Sequence, residues 1–321
     1  MSMNAPGKRR DETHLYIILN PYAGRKRGTQ IKPRIEAALH KANRSFELVE
    51  TTGCGHAVEL AQAASKAGHA IIVAAGGDGT ISEVINGMAH AAQPNCPVGK
   101  LGLIPIGSGN DFAAVLGYTS NLEQTVHTLA TGNTRRCDLG KATILAQGQQ
   151  SVRYFGNNLG VGFEAQVAIE SSQIRRIRGP LLYVIATLFA LRSYRSPAVQ
   201  LTWQAANGVW HEQRKAVLLI SVGNSPRMGG GFYMTPNAQL DDGLLALGIA
   251  NALSRLRILH LLPKVLRGTH VADPAFLLTQ ARQIRITAQA ELPLQLDGEL
   301  VTANVDALEI TLLPKVLEVI V

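Results

Sequence analysis

Gly76, Gly77, Asp78, Gly79 and Thr80 follow one another directly, between an apolar strand and an amphipathic helix. Small residues at the end of a strand let the backbone come close to a ligand. The free N–H groups at the start of the next helix favour an anion such as phosphate. An acid inside such a turn is typical of sites where Mg²⁺ lies between a carboxylate and phosphates. This turn therefore predicts a phosphate-binding site.

Two further polar turns follow predicted strands. Asn20 comes after Leu15–Leu19, and Gly107–Asp111 comes after Leu101–Ile106. Because ligands of open α/β sheets bind at the carboxyl ends of the strands, the three turns could converge on one crevice. The spacings of a Walker A loop and of a GxGxxG fingerprint are both absent. The alternative is that the glycines only make tight turns, but three such turns at one sheet edge favour a ligand site.

The elements that must position these turns change character along the chain. Up to about residue 135, strands alternate with helices, and this βαβ order predicts a parallel sheet covered on both faces. After about Cys137, short strands crowd together between turn residues, which predicts an antiparallel sandwich. Helical stretches interrupt it at Gly179–Leu191 and Leu253–Leu266. The strands expected there are Val152–Phe155, Val199–Trp203, Ala216–Val222, Leu244–Ile249, Ile284–Ala288, Leu292–Leu296 and Leu308–Leu312.

The predicted fold class is therefore α/β, with an N-terminal parallel-sheet nucleotide-binding domain and a C-terminal antiparallel β-sandwich domain. We expect a flexible tail at residues 1–13, the first domain at residues 14–135 and the second at residues 136–321. The sequence leaves open whether the last strand, Leu317–Val321, crosses back to the first domain.

Composition limits the partners. The 321 residues carry a net charge of +8, which favours acidic partners such as a nucleotide or an anionic membrane. The basic residues are dispersed and form no recognised nucleic-acid module, so we expect no nucleic acid. Three widely spaced cysteines predict unpaired thiols in a reducing cytosol. The most apolar run, Leu181–Leu191, is shorter than the roughly 20 residues that span a bilayer, so we expect a cytoplasmic protein, at most peripheral to the membrane.

An ordered set of motifs resembles the diacylglycerol kinase catalytic family, and in particular its bacterial soluble lipid kinases. The set begins with Asn20-Pro21 and Gly-Gly-Asp-Gly-Thr, and continues with Ile-Pro-Ile-Gly-Ser-Gly-Asn-Asp-Phe-Ala at residues 104–113. Tyr154–Phe163, Pro236–Gly243 and Leu296–Glu299 extend it through the second half. NAD kinases share the glycine-aspartate turn, so that turn is moderately specific, whereas the ordered set is strongly specific.

The resemblance implies that ATP and Mg²⁺ bind in the first half. Asp78 is the expected acidic partner of the catalytic Mg²⁺. Most relatives have Thr where Ser108 stands, and both offer a hydroxyl to phosphate. Asn20 and Asn110 would either contact phosphate or brace their loops by bonding to the backbone. The implied nucleotide contacts are Asn20, Thr51, Gly76, Gly77, Asp78, Gly79, Thr80, Ile81, Ser82, Ser108 and Asn110.

In the second half, the resemblance implies a second Mg²⁺ held by Asp242 and by the carbonyl oxygens of Gln239 and Leu244. Oxygen ligands suit this hard cation, although Asp-Gly is also a plain turn signal. The general base for the acceptor hydroxyl would be Asp297 or Glu299. We favour Asp297, with Glu299 as its hydrogen-bonded neighbour.

Two segments that combine basic and apolar residues are the sequence evidence for contact with a lipid surface. Ile174–Arg178 precedes the apolar run Leu181–Leu191, Arg192 and Arg195 follow that run, and Arg255–Arg267 forms a second basic helix. Basic ends around an apolar helix suit docking on an anionic membrane surface, although a buried core helix with solvated arginines has the same pattern.

The function predicted from these motifs is an ATP- and Mg²⁺-dependent lipid kinase that acts on a hydroxyl of diacylglycerol, phosphatidylglycerol or a sphingoid base. An NAD kinase would lack the Gly-Ser-Gly-Asn-Asp-Phe block, which this chain has. A catalytically silent lipid sensor would lack Asp78 or the terminal acids, which are present. The sequence leaves a homodimer open, as it does the choice of lipid and of ATP over GTP.

Overall fold

A computed structural model describes residues 13–94, 96–174, 177, 180–288 and 290–321. Of the predicted flexible tail, residues 1–12 lie outside the described residues, and so do Arg175, Arg176 and Arg178 of the predicted basic segment. Fourteen strands lie in the described part: β1 Leu15–Leu19, β2 Phe46–Glu50, β3 Ile71–Gly76, β4 Gly99–Pro105, β5 Thr134–Ala146, β6 Gln149–Phe155, β7 Asn158–Gly162, β8 Ala198–Ala205, β9 Trp210–Gly223, β10 Leu245–Asn251, β11 Phe276–Ala288, β12 Leu294–Leu296, β13 Glu299–Thr302 and β14 Ala307–Ile320. The helices there are α1 Ala23–Lys41, α2 His56–Lys66, α3 Asp78–Ala91, α4 Asp111–Val115, α5 Leu122–Thr131, α6 Phe163–Gln173, α7 Pro180–Ser193 and α8 Arg255–Leu266, with a 3₁₀ turn at Thr269–Ala272.

The chain divides into two compact units. The first contains the residues up to Ile106, Tyr118–Arg135 and the C-terminal Leu317–Val321. The second contains Arg136–Val316 and the segment Gly107–Gly117. The alternation of strands and helices places Gly107–Gly117 in the first domain. The structure groups it with the second unit, where the Asp111 carboxylate accepts a hydrogen bond from the Gly230 amide.

The first unit is a parallel sheet in the order β2-β1-β3-β4, and residues 317–319 of β14 pair with β4 in parallel at the other edge. Alternate residues of each strand face opposite sides. Leu15, Ile17 and Leu19 pack in one cluster with residues of α1 and α5. The buried residues between them, Tyr16 and Ile18, face the other side, where α2 and α3 pack together.

The second unit is built from antiparallel strands. They pair in the order β13-β12-β7-β9-β10-β11-β14, while β8 pairs with β9 and β11, and β5 pairs with β6. One apolar core joins side chains from most of these strands, including Phe155, Ile220 and Ile284. A second apolar cluster lies where α6, α7 and α8 meet residues of β9. The predicted fold class, a parallel-sheet domain followed by an antiparallel β-sandwich domain, is thus confirmed.

The helices of the described part include none that combines the length and the apolar character needed to cross a bilayer.

Candidate active site

The predicted phosphate turn lies at the carboxyl end of β3. The strand ends at Gly76, Gly77 is in an extended conformation, and α3 begins at Asp78. Asp78 is half-buried in the first turn of that helix, whereas Thr80 and Ile81 are buried beneath it. The positive end of the helix dipole and the first N–H groups of α3 therefore lie beside the Asp78 carboxylate.

Asn20 braces this turn from the neighbouring strand. Its side-chain amide donates to Thr80 Oγ1 at 3.0 Å, and its side-chain oxygen accepts from the Tyr22 amide at 2.9 Å. The main-chain N–H of Asn20 in turn donates to the Ala75 carbonyl at 2.9 Å. Of the two roles that the sequence leaves open for Asn20, the loop-bracing role is visible in these bonds.

Thr51 completes the sheet edge of the first unit. It follows β2 directly, is buried, and donates its amide to the Leu19 carbonyl at 2.9 Å. Since β1 lies between β2 and β3 in register, Thr51, Asn20 and Gly76 fall at the carboxyl ends of three adjacent strands. The structure thus brings together the implied nucleotide residues that belong to the first unit: Asn20, Thr51 and Gly76 to Ser82.

Ser108 and Asn110 belong to the second unit. Ser108 is exposed, and Asn110 adopts a left-handed conformation with φ of 52° while its side-chain amide donates to the Gly107 carbonyl at 2.9 Å. The next residue, Asp111, is buried and lies 3.5 Å from an Arg227 side-chain nitrogen. Burial raises the pKa of the Asp111 carboxyl, which the Gly230 amide and the Arg227 charge oppose.

The two candidate bases differ sharply. The Asp297 carboxylate accepts three backbone N–H bonds, from Gly156 at 3.1 Å, Asn157 at 2.9 Å and Asn158 at 3.0 Å. Its own backbone adopts a left-handed conformation with φ of 49°. Glu299 opens β13 and is exposed. Asp297 therefore anchors the start of β7, while Glu299 stands at the surface of the same hairpin.

The predicted metal turn is held by an acid that sequence reasoning missed. Asp138 is fully buried, and its carboxylate accepts the Gly243 amide at 2.8 Å and the Lys315 amide at 2.7 Å. Burial raises the pKa of Asp138, and these two hydrogen bonds oppose that change. Asp138 stands between the apolar residues Cys137 and Leu139. An acid is rare in such a buried position, so its presence there was the one feature of the sequence that could have drawn attention to it.

Asp242, on the turn itself, is exposed. Its carboxylate accepts the Leu244 amide at 3.0 Å and the Gln280 side-chain amide at 3.2 Å. Each oxygen keeps lone pairs beyond these bonds, and Gln239 is exposed on the same turn. A carboxylate with neighbouring backbone carbonyls is a donor set that fits Mg²⁺.

An apolar pocket lies in the second unit among α6, α7, α8 and β9. It is a concave, mainly apolar site that is partly open to solvent. Its walls include Phe163, Tyr183, Phe232, Ile258 and Leu261, and its polar lining side chains include Glu164 and Gln295. Such a pocket suits an apolar chain with a polar end.

The outer faces of α7 and α8 combine exposed apolar and basic side chains. Leu256 is 81% exposed, Leu181 is 59% exposed, and Leu188 and Phe189 are also exposed. Arg192, Arg195, Arg255 and Arg267 are exposed too, and the Arg255 side chain donates to the Arg192 carbonyl at 3.2 Å. We call these eight residues the apolar-basic face.

Glu164 is a further residue that sequence reasoning missed. It is buried at the start of α6, and its Oε1 accepts the Asn158 side-chain amide at 2.8 Å and the Gln295 side-chain amide at 2.6 Å. Burial raises the pKa of Glu164 to about 7, although its side-chain hydrogen bonds with Ser221, Gln295 and Asn158 favour its charged form. An acid directly after the apolar strand β7 was the signal in the sequence.

Comparison with known families covers most of the chain. The diacylglycerol kinase catalytic domain matches residues 14–142, and the YegS C-terminal NAD kinase beta sandwich-like domain matches residues 157–321. A diacylglycerol kinase of Staphylococcus haemolyticus is 33% identical over 284 residues, which are 88% of this chain and 81% of that protein.

Solved structures share the fold. A crystal structure of a diacylglycerol kinase from Bacillus anthracis superposes with a TM-score of 0.69 at 22% identity, with 98% of each chain covered. Yeast NADH kinase in complex with NADH is a more distant match, with a TM-score of 0.50 and 10% identity over 99% of this chain and 88% of that one. At these identities, both likenesses concern the fold.

Proposed function

The chain belongs to the diacylglycerol kinase catalytic family and is a phosphotransferase of the lipid kinase class. From that premise we propose that it transfers the γ-phosphoryl group of ATP to the hydroxyl of diacylglycerol, in a reaction that depends on Mg²⁺. The observation that carries the proposal is the turn Gly76–Thr80, which Asn20 braces at the carboxyl edge of a parallel sheet.

The nucleotide phosphates would lie against the start of α3. Main-chain N–H groups at a helix N-terminus are ready donors to phosphate oxygens, and Gly76 and Gly77 leave room for a close approach. The Thr80 hydroxyl is held by Asn20 below this turn, so the loop keeps its shape before a ligand binds. That Ser108 and Asn110 also contact the nucleotide stays a prediction from the resemblance.

Asp78 and the turn at residues 239–244 would hold the cations. Asp78 is half-buried beside the phosphate turn, where Mg²⁺ is usually held by one or two carboxylates together with substrate phosphates. Asp242 and the carbonyls of Gln239 and Leu244 would hold the second ion, on the turn that Asp138 fixes. When bound, the catalytic ion would offset the charge on the transferring phosphates.

Glu299 is the better candidate for the general base. A base must be able to take a proton from the acceptor hydroxyl. Three backbone N–H groups already occupy the Asp297 carboxylate, so its oxygens are engaged in fixing the hairpin. Glu299 is exposed on the next strand, at the other end of the same tight turn. Asp297 would then position the hairpin, and Glu299 would take the proton.

The lipid would enter the apolar pocket of the second unit, and the apolar-basic face would rest on an anionic membrane. Tyr183 of α7 and Ile258 of α8 line the pocket. The exposed side chains of the face belong to the same two helices or, as Arg195 and Arg267 do, to the residues that follow them. Exposed leucines among arginines complement the apolar interior and the negative headgroups of such a surface.

A panel of acceptors tests this function. Purified protein is incubated with γ-labelled ATP and with diacylglycerol, phosphatidylglycerol, a sphingoid base or NAD, with and without Mg²⁺. We expect labelled phosphatidic acid, formed only when Mg²⁺ is present. Labelled NADP would restore the NAD kinase alternative, whereas label in another lipid would keep the kinase and change its acceptor.

A further inference from the structure

The apolar pocket of the second unit extends across several strands of the sheet. Gln295 of β12, Leu219 of β9 and Phe276 of β11 all line it. These strands belong to the order β12-β7-β9-β10-β11, in which Gln295 lies opposite Gly160 and Phe276 lies opposite Ala250. Since neighbouring strands lie about 4.8 Å apart, the four steps from β12 to β11 separate Gln295 and Phe276 by roughly 19 Å. The pocket is therefore elongated and has two distinct ends.

One end of the pocket is polar and adjoins the hairpin that carries the candidate bases. Gln295 Oε1 accepts the Gly298 amide at 2.7 Å, and the Gln295 side-chain amide donates to Glu164 Oε1 at 2.6 Å. All three residues line the pocket, and Gly298 lies between Asp297 and Glu299 in the chain. The acceptor hydroxyl must come within reach of the base, so the headgroup of the lipid would lie at this end.

The other end of the pocket is apolar. Phe276 begins β11, and its ring lies edge-on against the ring of His270, with the two centroids 4.9 Å apart. His270 is fully buried and its Nε2 donates to the Met234 carbonyl at 3.0 Å, so it holds the phenyl ring in place. Leu253, three residues after the Ala250 that pairs with Phe276, also lines the pocket. The methyl end of a lipid chain would therefore lie against Phe276 and Leu253.

The length of the pocket matches that of an acyl chain in a membrane. The hydrocarbon core of a bilayer is about 30 Å thick, so a chain in one leaflet spans about 15 Å. The roughly 19 Å between the two ends of the pocket holds such a chain together with the glycerol that carries the hydroxyl. A much shorter chain would leave the apolar end empty and lose the free energy of burying the missing methylenes. A longer chain would meet the ring of Phe276.

We propose that an acyl chain of the lipid acceptor lies extended in this pocket from Gly298 to Phe276, and that Phe276 sets the longest chain that fits. The proposal rests on the proposed lipid kinase function and names the substrate class of its pocket. That class is lipids with chains of membrane length, which the pocket selects over short-chain lipids and over soluble alcohols.

The experiment titrates saturated monoacylglycerols in the absence of ATP, so the result does not depend on turnover. The series runs from chains shorter than those of membrane lipids to longer ones, and each homologue competes with a fluorescent fatty acid for the wild-type protein. Each added methylene should tighten binding about fourfold while the apolar end of the pocket is still empty. The gain should stop at the length at which the chain reaches Phe276.

Two variants should move this length limit in opposite directions. Phe276→Ala removes the ring at the apolar end, so homologues beyond the wild-type limit should continue to gain affinity. Leu253→Trp fills the same end, so the gain should stop at a shorter chain. Leu277→Ala is the matched control, because this neighbouring side chain on β11 points to the opposite face, is 46% exposed and lies outside the pocket lining. Its length limit should equal that of the wild type.

Wild-type affinity that is independent of chain length, or that still rises at the longest chain of the series, would overturn the proposal. So would a folded Phe276→Ala protein with the wild-type limit or, if that variant does not fold, a Leu253→Trp protein with the wild-type limit. Failure of the kinase function has a different signature, namely length-limited binding with no ATP-dependent phosphorylation of any lipid.

Discussion

Gly76 leaves the space that the Thr80 side chain occupies. A Cβ added at Gly76 would lie 2.4 Å from Thr80 Oγ1 and equally close to Thr80 Cβ. The same hydroxyl accepts the Asn20 side-chain amide at 3.0 Å. The last residue of β3, the first turn of α3 and the residue after β1 are thus fixed to one another through a single threonine, which gives the phosphate turn its shape.

Gly76→Ala should therefore weaken nucleotide binding. The new methyl group must displace Thr80, because a contact below 3.0 Å is not tolerated, and the bond to Asn20 breaks with it. We expect at least a tenfold rise in the Kd for ATP, measured by titration with a fluorescent ATP analogue.

Gly53→Ala is the matched control, since a Cβ at Gly53 meets nothing within 4 Å. Its Kd should stay within about twofold of the wild type, as expected for a surface change. Unchanged binding in Gly76→Ala would show that the turn does not hold the nucleotide.

Asp78→Asn should lower turnover strongly and alter its dependence on Mg²⁺. The variant keeps the shape of the side chain and removes the charge, so the loss reports on the cation and not on packing. Removing a group that stabilises transition-state charge typically costs about 10²–10³ in kcat. Glu123→Gln, in the first turn of α5, removes an equivalent charge from an exposed helix start and should leave kcat unchanged.

Substitution of Asp297 should mainly lower stability, whereas substitution of Glu299 should mainly lower turnover, when both quantities are measured on the same variants. Asp297→Asn replaces a charged acceptor of three backbone N–H groups with a weaker one, so the free energy of unfolding should fall by about 2 kcal/mol. Glu299 is exposed, so Glu299→Gln should keep the wild-type free energy of unfolding, while its kcat should fall at least 100-fold. A stable Asp297→Asn protein without turnover, beside an active Glu299→Gln protein, would reverse the two roles.

The sequence predicts the first half of the fold well because its signals are local. The strand Leu15–Leu19 and the helix stripe of Ile81, Val84, Ile85 and Met88 have the periods of their elements, and the structure has both elements. The phosphate turn was equally visible, since glycines and an acid at a strand-to-helix junction are rare without a function.

The second half was harder because its signals depend on distant partners. The strand β7, Asn158-Leu-Gly-Val-Gly162, contains two glycines and no alternation, and its pairing with β9 and β12 stabilises it. The helix α6 follows without a capping side chain and was missed for that reason. Asp138 and Glu164 were missed likewise, because only the fold brings Gly243 and Lys315 to Asp138 and Gln295 to Glu164, each from more than 100 residues away in the chain.

Leu256→Glu should weaken binding to anionic vesicles. Leu256 is 81% exposed on the apolar-basic face, and burying such a side chain in a membrane contributes about 1.5–3 kcal/mol. We expect sedimentation with phosphatidylglycerol vesicles to require at least tenfold more lipid, and wild-type binding to weaken as salt screens the arginines. Val209→Glu, a 50% exposed apolar residue between β8 and β9, should bind as the wild type does. Equal loss in both variants would mean that binding does not depend on this face.

The buried carboxyl of Glu164 should make stability depend on pH. In the unfolded chain its pKa is near 4.5, whereas burial raises the pKa in the folded protein to about 7. Between these values the folded protein binds more protons than the unfolded chain, so the free energy of unfolding falls as pH rises, by up to roughly 1.4 kcal/mol per pH unit. Glu164→Gln cannot ionise and escapes this loss.

The variant should therefore gain stability relative to the wild type from pH 5 to pH 7, and the difference should level off above about pH 8, as urea unfolding at each pH would measure. Titratable groups on the neighbouring elements include Tyr183, which lines the same pocket, Tyr194, which packs on Phe163, and Asp297, which is bonded to the Asn158 main chain. All three are present in both proteins, so their contributions cancel in the comparison. Parallel stability curves for Glu164→Gln and the wild type would mean that burial does not raise the pKa of Glu164 in the folded protein.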